Sequence, residues 1–548
     1  MNKNVKKAFI SLLITLVVMT AMLIWANTSG NNIYATINEN LTLLGNIYKE
    51  ISTNYVEDIN TEEFLKAGIN GMLNTLDPYT NYIEQDSRRQ LNILTKGKYE
   101  GIGLLLNYRN NVVTAAEPPF LGTPAARAGI REGDQIIKVD GTPTKELGFQ
   151  ESVRHILGPE GTSVTLTIQR EGVEKLLEFA LIREKITVND VRFAGMLNNN
   201  IGYIQLTRFS KNSAPEISQA IRELQNKNLN GLILDLRSNP GGVLQSAVNV
   251  SDIFLDKGES IVSIRGRTEQ AKADFQSTRD PVYPHKPLIV LINRISASAS
   301  EIVAGAMQDH DRAVLVGDTT FGKGLVQSVV PLSSTTALKL TTAKYYTPSG
   351  RCIQRKNYAI WEDTNDTETE YYTDHKRKVH GGGGIAPDIY VELPTVENYV
   401  IDLRRKSMFF NFAVHYVNTT TVSDSSLIIT DSILNNFKQY LDENSYNYED
   451  PLEKKLNELE ELAEQDEYGD TFIDNINSLK ESVKQMDLTL FDKSRENIKK
   501  ILKQEIASKC FGIHYSVRIG LKDDPVVQQA LQLVANQNRY KELLGIKN

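Results

Sequence analysis

Residues 288–302 read Leu-Ile-Val-Leu-Ile-Asn-Arg-Ile-Ser-Ala-Ser-Ala-Ser-Glu-Ile. The five apolar residues Leu288–Ile292 predict a buried strand, and the residues from Ser298 to Met307 predict a helix that follows it. Apolar segments upstream predict further strands on either side of another helix: 201–206, 214–225 and 231–236. Strands that alternate with helices indicate an α/β core, in which the loops at the strand ends carry the functional groups.

Ser298 lies at the predicted turn between strand and helix, where the free N–H groups of a helix start stabilise negative charge. Lys323 follows 25 positions later, between Gly322 and Gly324. A serine needs a base to become a nucleophile, and a lysine serves only where its surroundings lower its pKa from about 10.4 toward neutrality. The pair is a candidate dyad, although such runs also occur in ordinary helix starts and turns.

Three motifs follow one another in this chain. They are Leu-Asp-Leu-Arg-Ser-Asn-Pro-Gly-Gly at 234–242, Ser-Ala-Ser-Ala-Ser-Glu-Ile at 296–302 and Phe-Gly-Lys-Gly-x-x-Gln at 321–327. Together they resemble the carboxyl-terminal processing (tail-specific) serine peptidases, which use a Ser–Lys dyad. The resemblance spans roughly residues 40 to 390. It implies a multidomain α/β protein with an α/β peptidase core, an inserted PDZ domain, an N-terminal helical segment and a charged helical C-terminal extension.

The resemblance also implies roles for single residues. Ser298 is the expected nucleophile because its spacing to the lysine matches the family pattern, and Ser296 and Ser300 are the alternatives. Lys323 is expected to accept the serine proton and return it to the leaving amine, while Gln327 holds the lysine by a hydrogen bond. The expected oxyanion donors are backbone N–H groups, those of Ala299 and of either Gly241 or Gly242.

Other polar residues near these motifs have structural interpretations. Asp235 and Arg237 predict an ion pair that shapes the loop before the glycines. Glu301 is predicted to cap the helix that starts after Ser298. His310 is predicted to lie in a solvated turn, and neither a histidine triad nor a Gly-x-Ser-x-Gly elbow is found.

Two motifs between residues 96 and 185 resemble a PDZ domain. Tyr99–Leu104 resembles its carboxylate-binding loop, and 122–141 resembles its central helix and strand. Exposed N–H groups of such a loop hold a peptide carboxylate while the peptide adds as a strand to a sheet edge. One position departs from the family, which often has arginine where Leu157 stands, so this chain is expected to couple the PDZ domain to the peptidase differently or less tightly. The expected peptide-binding residues are Gly101, Ile102, Gly103 and Leu104.

The N-terminus predicts a membrane anchor. Lys3, Lys6 and Lys7 precede an uncharged run of 19 residues, Ala8 to Ala26. As a helix that run is about 28 Å long, close to the roughly 30 Å hydrocarbon core of a bilayer. The lysines favour the cytoplasmic side, so the bulk of the chain is expected on the exported, periplasmic or extracytoplasmic side. A cleaved signal peptide is the alternative, but a small-x-small cleavage site is poor here.

The remaining chain completes the predicted organisation. The segment 33–95 carries helical periodicity, interrupted by Leu-Asp-Pro-Tyr-Thr at 76–80, and in the family it can support a homodimer. The charged region after 396 predicts helices, among them 452–462 and 472–483. The predicted domains are 1–32 (anchor or signal segment), 33–95 (helical), 96–185 (PDZ), 186–395 (peptidase core) and 396–548 (helical).

Composition excludes several classes of function. A net charge of −7 without a basic cluster argues against nucleic acid. The two cysteines, Cys352 and Cys510, exclude a disulfide framework, and no metal or cofactor is expected. The prediction is a membrane-anchored serine endopeptidase that processes or degrades exported proteins and recognises accessible C-termini.

Two alternatives stay open at this stage. One is a membrane-anchored PDZ scaffold on an inactive peptidase fold. The other is a nucleotide hydrolase, because Gly317–Gly324 nearly matches a phosphate-binding loop. That match fails at Gly324, where a hydroxyl is required, and a strand rather than a helix is predicted to follow.

Overall fold

The computed structural model describes residues 34–84, 97–109, 111–333, 335–358, 362–363, 369–422, 427–466, 468–487 and 489–546. These residues form two compact units, the first from residues up to 83 together with 329–340 and the second from the rest. The predicted anchor at Ala8–Ala26 lies outside the described residues. None of the helices within those ranges is long and apolar enough to cross a membrane.

The first unit contains the predicted helical segment. Residues 34–54 are helical (α1), and α2 spans Thr61–Leu73, capped by the side chain of Asn60. The predicted break at 76–80 is present, because Asp77 accepts hydrogen bonds from the N–H groups of Tyr79 and Thr80. Strand β1, Asn81–Ile83, pairs antiparallel with residues 337–339. The homodimer stays a prediction.

The PDZ region follows at the start of the second unit. It has a sheet of order β3-β4-β5-β7-β8, with β6 beside β5, so β3 is an edge strand. A separate pair, β2 and β9, closes the region. The bounds are β2 Lys98–Gly101, β3 Leu106–Arg109, β4 Val112–Ala115, α3 Pro124–Arg127, β5 Gln135–Val139, β6 Thr142–Pro143, α4 Thr144–Ile156, β7 Ser163–Gln169, β8 Leu177–Ile182 and β9 Glu184–Thr187.

The peptidase core is built on a six-stranded sheet of order β10-β11-β12-β15-β16-β23. The strands β11, β12, β15, β16 and β23 run parallel, and β10 is antiparallel to β11. The predicted strands and helices are confirmed here. The bounds are β10 Val191–Met196, β11 Ile201–Leu206, α5 Ser213–Gln225, β12 Gly231–Asp235, α6 Leu244–Ser251, β13 Ser260–Gly266, β14 Ala273–Gln276, β15 Leu288–Ile292, α7 Ala299–Asp309, β16 Val314–Gly317, β17 Leu325–Pro331, β18 Ala337–Tyr346 and β23 Ile389–Tyr390.

Short strands and a second sheet complete the core. Residues 343–346 of β18 pair antiparallel with β13, which also pairs with β14. The short strands form two antiparallel pairs, β19 with β20 and β21 with β22. Their bounds are β19 Lys356–Asn357, β20 Glu362–Asp363, β21 Tyr371–Tyr372 and β22 Lys378–Val379.

The region after 396 is helical, as predicted from its composition. The bounds are α8 Asn398–Arg405, α9 Met408–Thr419, α10 Asp431–Glu443, α11 Pro451–Gln465, α12 Asp470–Asp487, α13 Leu490–Lys493, α14 Arg495–Phe511, α15 Ile513–Lys522, α16 Pro525–Ala535 and α17 Gln537–Leu543. Helices α8 to α10 and α14 share one apolar core of their own.

The last two helices belong physically to the peptidase core. Alternate residues of a strand point to opposite faces, and a parallel sheet is buried on both. Leu232, Leu234 and Val290 face the cluster that contains α5 and α7. Ile233 and Ile289 face the cluster that contains α16 and α17. The sequence did not reveal that the far end of the chain covers this second face.

A buried charge cluster joins the PDZ region to the C-terminal helices. Lys509 Nζ on α14 lies 2.8 Å from Glu132 Oε1 and 2.8 Å from Glu505 Oε2. The side chains of Lys509 and Glu132 are only 3% and 8% exposed. Burial raises the pKa of Glu132, and the Lys509 ammonium opposes that effect. Arg109, from the edge strand β3, lies over the ring of Phe410 on α9, 3.5 Å from its centroid.

Replacing Lys509 with methionine is expected to lower the free energy of unfolding by about 3–5 kcal/mol, because it leaves the Glu132 carboxylate buried without its cation. Lys499→Met is the matched control on the same helix, since Lys499 pairs with a largely exposed Glu496 and should cost less than about 1 kcal/mol. Urea unfolding of both variants tests the difference. Equal small effects would show that the Lys509 pair does not join the two regions.

Candidate active site

Ser298 has a strained backbone at the turn between β15 and α7. Its φ of 55° and ψ of −110° lie in a region that residues with a side chain rarely adopt. Such a conformation costs on the order of 1–3 kcal/mol and persists only where the surroundings enforce it. Ser298 is half-buried and stands at the N-cap of α7. Its position at the helix start agrees with the prediction.

The two alternative serines have other partners. Ser296 and Ser300 are fully buried. The Ser296 hydroxyl donates to the carbonyl of Leu236 at 2.8 Å, and the Ser300 hydroxyl donates to the carbonyl of Asn239 at 2.9 Å. Both hydroxyls therefore join the helix start to the loop after β12. Of the three serines, Ser298 is the one that is not fully buried.

Glu301 connects the segment of Ser298 to the segment of Lys323. Its carboxylate accepts hydrogen bonds from the N–H of Ser298 at 2.7 Å and from the N–H of Lys323 at 3.0 Å. It also accepts from the N–H of Gly322 and the hydroxyl of Thr320. Burial raises the pKa of Glu301, and these four donors oppose that effect. The predicted capping role is confirmed, and the link to Lys323 adds to it.

The loop of Lys323 is shaped by close backbone contacts. A Cβ at Gly322 would lie 2.8 Å from Cβ of Arg355, and its φ of 88° favours glycine. The Gly324 N–H donates to the side chain of Gln354 at 2.8 Å. Lys323 itself is half-buried. Strand β17 follows this loop, so the helix that a phosphate-binding loop requires is absent from this described segment.

Gln327 lies on β17 and is half-buried. Its amide nitrogen donates to Oγ1 of Thr341 on the neighbouring β18 at 3.4 Å, a long hydrogen bond. The hydrogen bond from Gln327 that would hold Lys323 stays a prediction.

The expected oxyanion donors differ in whether their N–H groups already have a hydrogen-bond acceptor. The N–H of Gly241 donates to Oδ1 of Asn239 at 2.9 Å, so it is already engaged. In the described part of the chain, no protein acceptor is found for the N–H groups of Ala299 and Gly242. A Cβ at Gly241 would lie 3.0 Å from Cβ of Ser298. Of the two alternative glycines, Gly242 is thus the one with an unengaged N–H, while Gly241 lies close to Ser298. The oxyanion role of these residues stays a prediction.

The predicted ion pair of Asp235 and Arg237 is confirmed. Arg237 donates to both carboxylate oxygens of Asp235, and the closest contact is 2.6 Å. Asp235 also accepts a hydrogen bond from the hydroxyl of Tyr203 at 2.5 Å. Asp235 is the last residue of β12, Arg237 follows it in the loop, and Tyr203 lies within the adjacent strand β11.

Tyr345 is a site residue that sequence reasoning missed. Its hydroxyl donates to the carbonyl of Ser298 at 3.2 Å, and its N–H donates to the carbonyl of Gly324 at 2.9 Å. Burial raises its pKa well above the ordinary value, so it stays a neutral donor. Tyr345 stands at the end of a long strand with no motif around it, and no signal in the sequence marks it.

Comparisons with known proteins match four parts of the chain to family models. Residues 200–365 match Peptidase family S41, and 121–170 match a PDZ domain. Residues 399–534 match a probable PDZ-protease C-terminal helical domain, and 22–87 match the N-terminal domain of the activating protease CtpB. A carboxy-terminal-processing protease of Bartonella bacilliformis is 39% identical over 383 residues, which is 69% of this chain and 81% of that protease. The chain belongs to peptidase family S41.

One further curated relative agrees with this assignment. The S41 peptidase is 35% identical to the carboxy-terminal processing protease CtpA of Bacillus subtilis, over 65% of this chain and 76% of that one. Among solved structures, the photosystem II D1 C-terminal processing protease aligns with 27% identity and a TM-score of 0.35, over 63% of this chain and 85% of its own. The protein is a serine endopeptidase of the carboxy-terminal processing type.

The predicted peptide-binding loop of the S41 peptidase is tightly packed. Gly103 has a φ of 86°, and a Cβ there would lie 2.3 Å from Thr123. The carbonyls of Ile102 and Gly103 accept hydrogen bonds from Ala125 and Phe120. Gly101 is buried, and the half-buried Leu104 leads toward the edge strand β3. The placement suits strand addition, and carboxylate binding itself stays a prediction.

Leu157 ends helix α4 beside this loop. Its side chain lies 3.1 Å from the position of a Cβ at Gly101. The buried Arg183 holds the adjacent turn, donating to the carbonyls of His155, Ile156 and Ser163. Arg183 therefore places an arginine near Leu157, the position at which the family often has one. It comes from a different segment, the one after β8.

His310 does not lie in a solvated turn, so that prediction was wrong. Its side chain is 10% exposed, and its two ring nitrogens lie 2.8 Å from Asp374 Oδ2 and 2.7 Å from the carbonyl of Ser260. Burial alone would lower the pKa of His310, but these hydrogen bonds outweigh it and raise the pKa above its ordinary value. The His310 imidazole ties the end of α7 to two neighbouring segments.

This pairing predicts a pH dependence of stability. Since the folded state raises the pKa of His310, its contribution is complete below the unfolded pKa of about 6.5 and is lost as pH rises through the folded pKa. His310→Gln should remove that part of the pH dependence. Urea unfolding of both proteins between pH 5.5 and 8.5 measures it. A constant difference in the free energy of unfolding across this range would contradict the prediction.

Proposed function

We propose that this S41 peptidase cleaves peptide bonds with Ser298 as nucleophile and Lys323 as base. The Ser298 oxygen forms a bond to the substrate carbonyl carbon while its proton passes to the neutral Lys323 amine. The peptide C–N bond then breaks, and Lys323 returns the proton to the leaving amine. Water releases the acyl group from Ser298 by the same two proton transfers in reverse.

The observation that carries this proposal is the shared carboxylate of Glu301. One buried group holds the backbone of Ser298 at 2.7 Å and that of Lys323 at 3.0 Å, so the two segments are held in a fixed relation. Holding reacting groups in place contributes several kcal/mol to catalysis. The strained φ of Ser298 supports the same conclusion, because strain of this kind concentrates at functional sites.

The charge that develops on the substrate oxygen needs donors beside Ser298. The N–H groups of Ala299 and Gly242 are the two candidates, since neither is engaged within the described chain. Gly242 is an exposed residue. Loss of one such donor costs on the order of 100- to 1000-fold in rate.

We further propose that the PDZ region recognises the C-terminus of the substrate. The support is the edge strand β3, which begins two residues after Leu104 of the packed glycine loop. A peptide with a free carboxylate would add as a strand beside β3 while its terminus meets the loop. The test compares one fluorogenic peptide with a free and with an amidated C-terminus. We expect a lower KM for the free carboxylate, and equal KM values would contradict recognition through this group.

Membrane anchoring and export are also proposed. The support is the N-terminal sequence, three lysines before 19 uncharged residues. The substrates would then be exported proteins. Fractionation of cells that express the full chain and a form lacking residues 1–33 tests the anchor. The full chain is expected with the membrane and the shortened form without it. Equal release of both would contradict the anchor.

The inactive scaffold that the sequence left open finds no support in the comparisons, which match serine endopeptidases. Incubation of the full chain with unfolded casein distinguishes the two, since a scaffold binds without producing fragments. Fragments that depend on Ser298 support the peptidase.

A further inference from the structure

The start of helix α16 contacts the active-site loop. Asp524 caps this helix, and its Oδ1 accepts hydrogen bonds from the N–H groups of Val526 and Val527. Its other carboxylate oxygen, Oδ2, lies 2.8 Å from Nη1 of Arg237. The two oxygens of one side chain therefore have separate partners, one within the helix and one in the loop that precedes the two glycines.

Arg237 is held from two sides. Asp235 binds Nε and Nη2, and Asp524 binds Nη1. The arginine side chain is 18% exposed. Burial alone would lower its pKa, but the two carboxylates outweigh this and hold the pKa above its ordinary range. A planar guanidinium fixed by two carboxylates has little freedom to turn.

The loop that begins at Arg237 reaches Ser298 through backbone contacts. The carbonyl of Asn239 accepts hydrogen bonds from the N–H of Ala297 and the hydroxyl of Ser300. The side chain of Asn239 accepts from the N–H of Gly241. The next residue, Gly242, is exposed, and its N–H has no acceptor within the described residues. The position of Arg237 therefore affects the direction of the Gly242 N–H.

We propose that Asp524 is a positioning residue for the oxyanion site. It fixes Arg237 and, through the loop from Arg237 to Gly242, the direction of the Gly242 N–H. The inference rests on the proposed function, since it takes Gly242 as a donor to the substrate oxygen. If this is so, the C-terminal helices contribute to the chemistry as well as covering one face of the sheet.

Because Asp524 has two partners, its role as the cap of α16 can be separated from its role in binding Arg237. Serine is a favoured N-cap residue, so Asp524→Ser keeps an acceptor for the helix while it removes the carboxylate from Arg237. Arg237 keeps Asp235 in this variant, so no buried charge loses its only partner. Glutamate is not a favoured N-cap residue, but its carboxylate can reach Arg237. Asp524→Glu therefore weakens the helix cap and keeps a carboxylate for Arg237.

The experiment measures kcat, KM and the thermal midpoint for peptide cleavage by the full chain and its variants. For Asp524→Ser we expect kcat to fall by about tenfold or more, with KM within about twofold and an almost unchanged midpoint. For Asp524→Glu we expect a lower midpoint but a higher kcat than that of Asp524→Ser. The control is Asp523→Ser, because Asp523 is exposed and adjacent, and it should match the wild type.

Two results would overturn the inference. One is a kcat of Asp524→Ser equal to that of the wild type. The other is a loss of kcat in both Asp524 variants that is proportional to the loss in thermal midpoint. Ser298→Ala measured in parallel separates this failure from failure of the proposed function. If Ser298→Ala cleaves as fast as the wild type, the proposed function is wrong. If only Ser298→Ala is inactive, the dyad stands and Asp524 has no positioning role.

Discussion

Ser298→Ala is expected to lower kcat for peptide cleavage by at least about 10,000-fold while the protein stays folded. The hydroxyl supplies the atom that bonds to the substrate carbonyl, and loss of a nucleophile removes nearly all of the catalysis by such a site. The remaining rate would come from binding and the oxyanion donors. Cleavage of a fluorogenic peptide measures kcat, and the binding of a C-terminal peptide confirms that the PDZ region is intact.

The same run of sequence supplies the matched controls. Ser296→Ala and Ser300→Ala each remove a hydroxyl that donates to a loop carbonyl. Each should lower the free energy of unfolding by about 1 kcal/mol and keep most of the activity. If Ser296→Ala or Ser300→Ala were the inactive variant and Ser298→Ala retained activity, the assignment of the nucleophile would be wrong.

A glycine at the same position tests the strain at Ser298. Ser298→Gly should be as inactive as Ser298→Ala but more stable than it by about 1 kcal/mol, because glycine accepts a φ of 55° without steric cost. Urea unfolding of the two inactive variants provides the comparison. An alanine variant as stable as the glycine variant would indicate that the turn relaxes when the serine is absent.

Glu301→Gln is expected to have the second largest effect. The carboxylate accepts three backbone N–H groups and one hydroxyl, and a backbone N–H can only donate. A glutamine presents one acceptor oxygen, and its NH2 group would face donors. We expect about 2–4 kcal/mol lower stability from buried N–H groups that lose their acceptor. We also expect at least about 100-fold lower kcat/KM, because the segments of Ser298 and Lys323 are no longer held together.

The control for this variant is Thr320→Val. It removes the Thr320 donor and also the acceptor for the N–H of Ile385, while the Glu301 bonds to Ser298 and Lys323 remain. It should lower stability with a much smaller loss of kcat/KM than Glu301→Gln. The measurements are kcat/KM and the free energy of unfolding of both variants. If the two lost activity in proportion to their stability, Glu301 would act on the fold alone.

Much of the core could be predicted because local signals are strong there. The apolar run Leu288–Ile292 forms a strand with the predicted bounds, and the small residues after Ser298 form the helix. The loop after Asp235 was predicted as an ion-paired turn, and Arg237 fills that role. In each case a short stretch of sequence contains both partners or the complete periodic pattern.

Contacts between distant segments could not be predicted in the same way. The hydrogen bond from Tyr345 to Ser298, the salt bridge from Asp524 to Arg237 and the burial of His310 all join residues that no spacing rule relates. The choice between Gly241 and Gly242 also depended on a side chain, because only the structure shows that Asn239 accepts the Gly241 N–H.

The most direct test of the dyad is the location of the acyl group during turnover. The full chain is mixed with an excess of a nitrophenyl ester of a short apolar peptide, quenched with acid and mapped by mass spectrometry. We predict an acyl group on Ser298, absent from Ser298→Ala and strongly reduced in Lys323→Met. An acyl group on another residue, or unreduced acylation of Ser298→Ala, would contradict the assignment of Ser298 as the nucleophile.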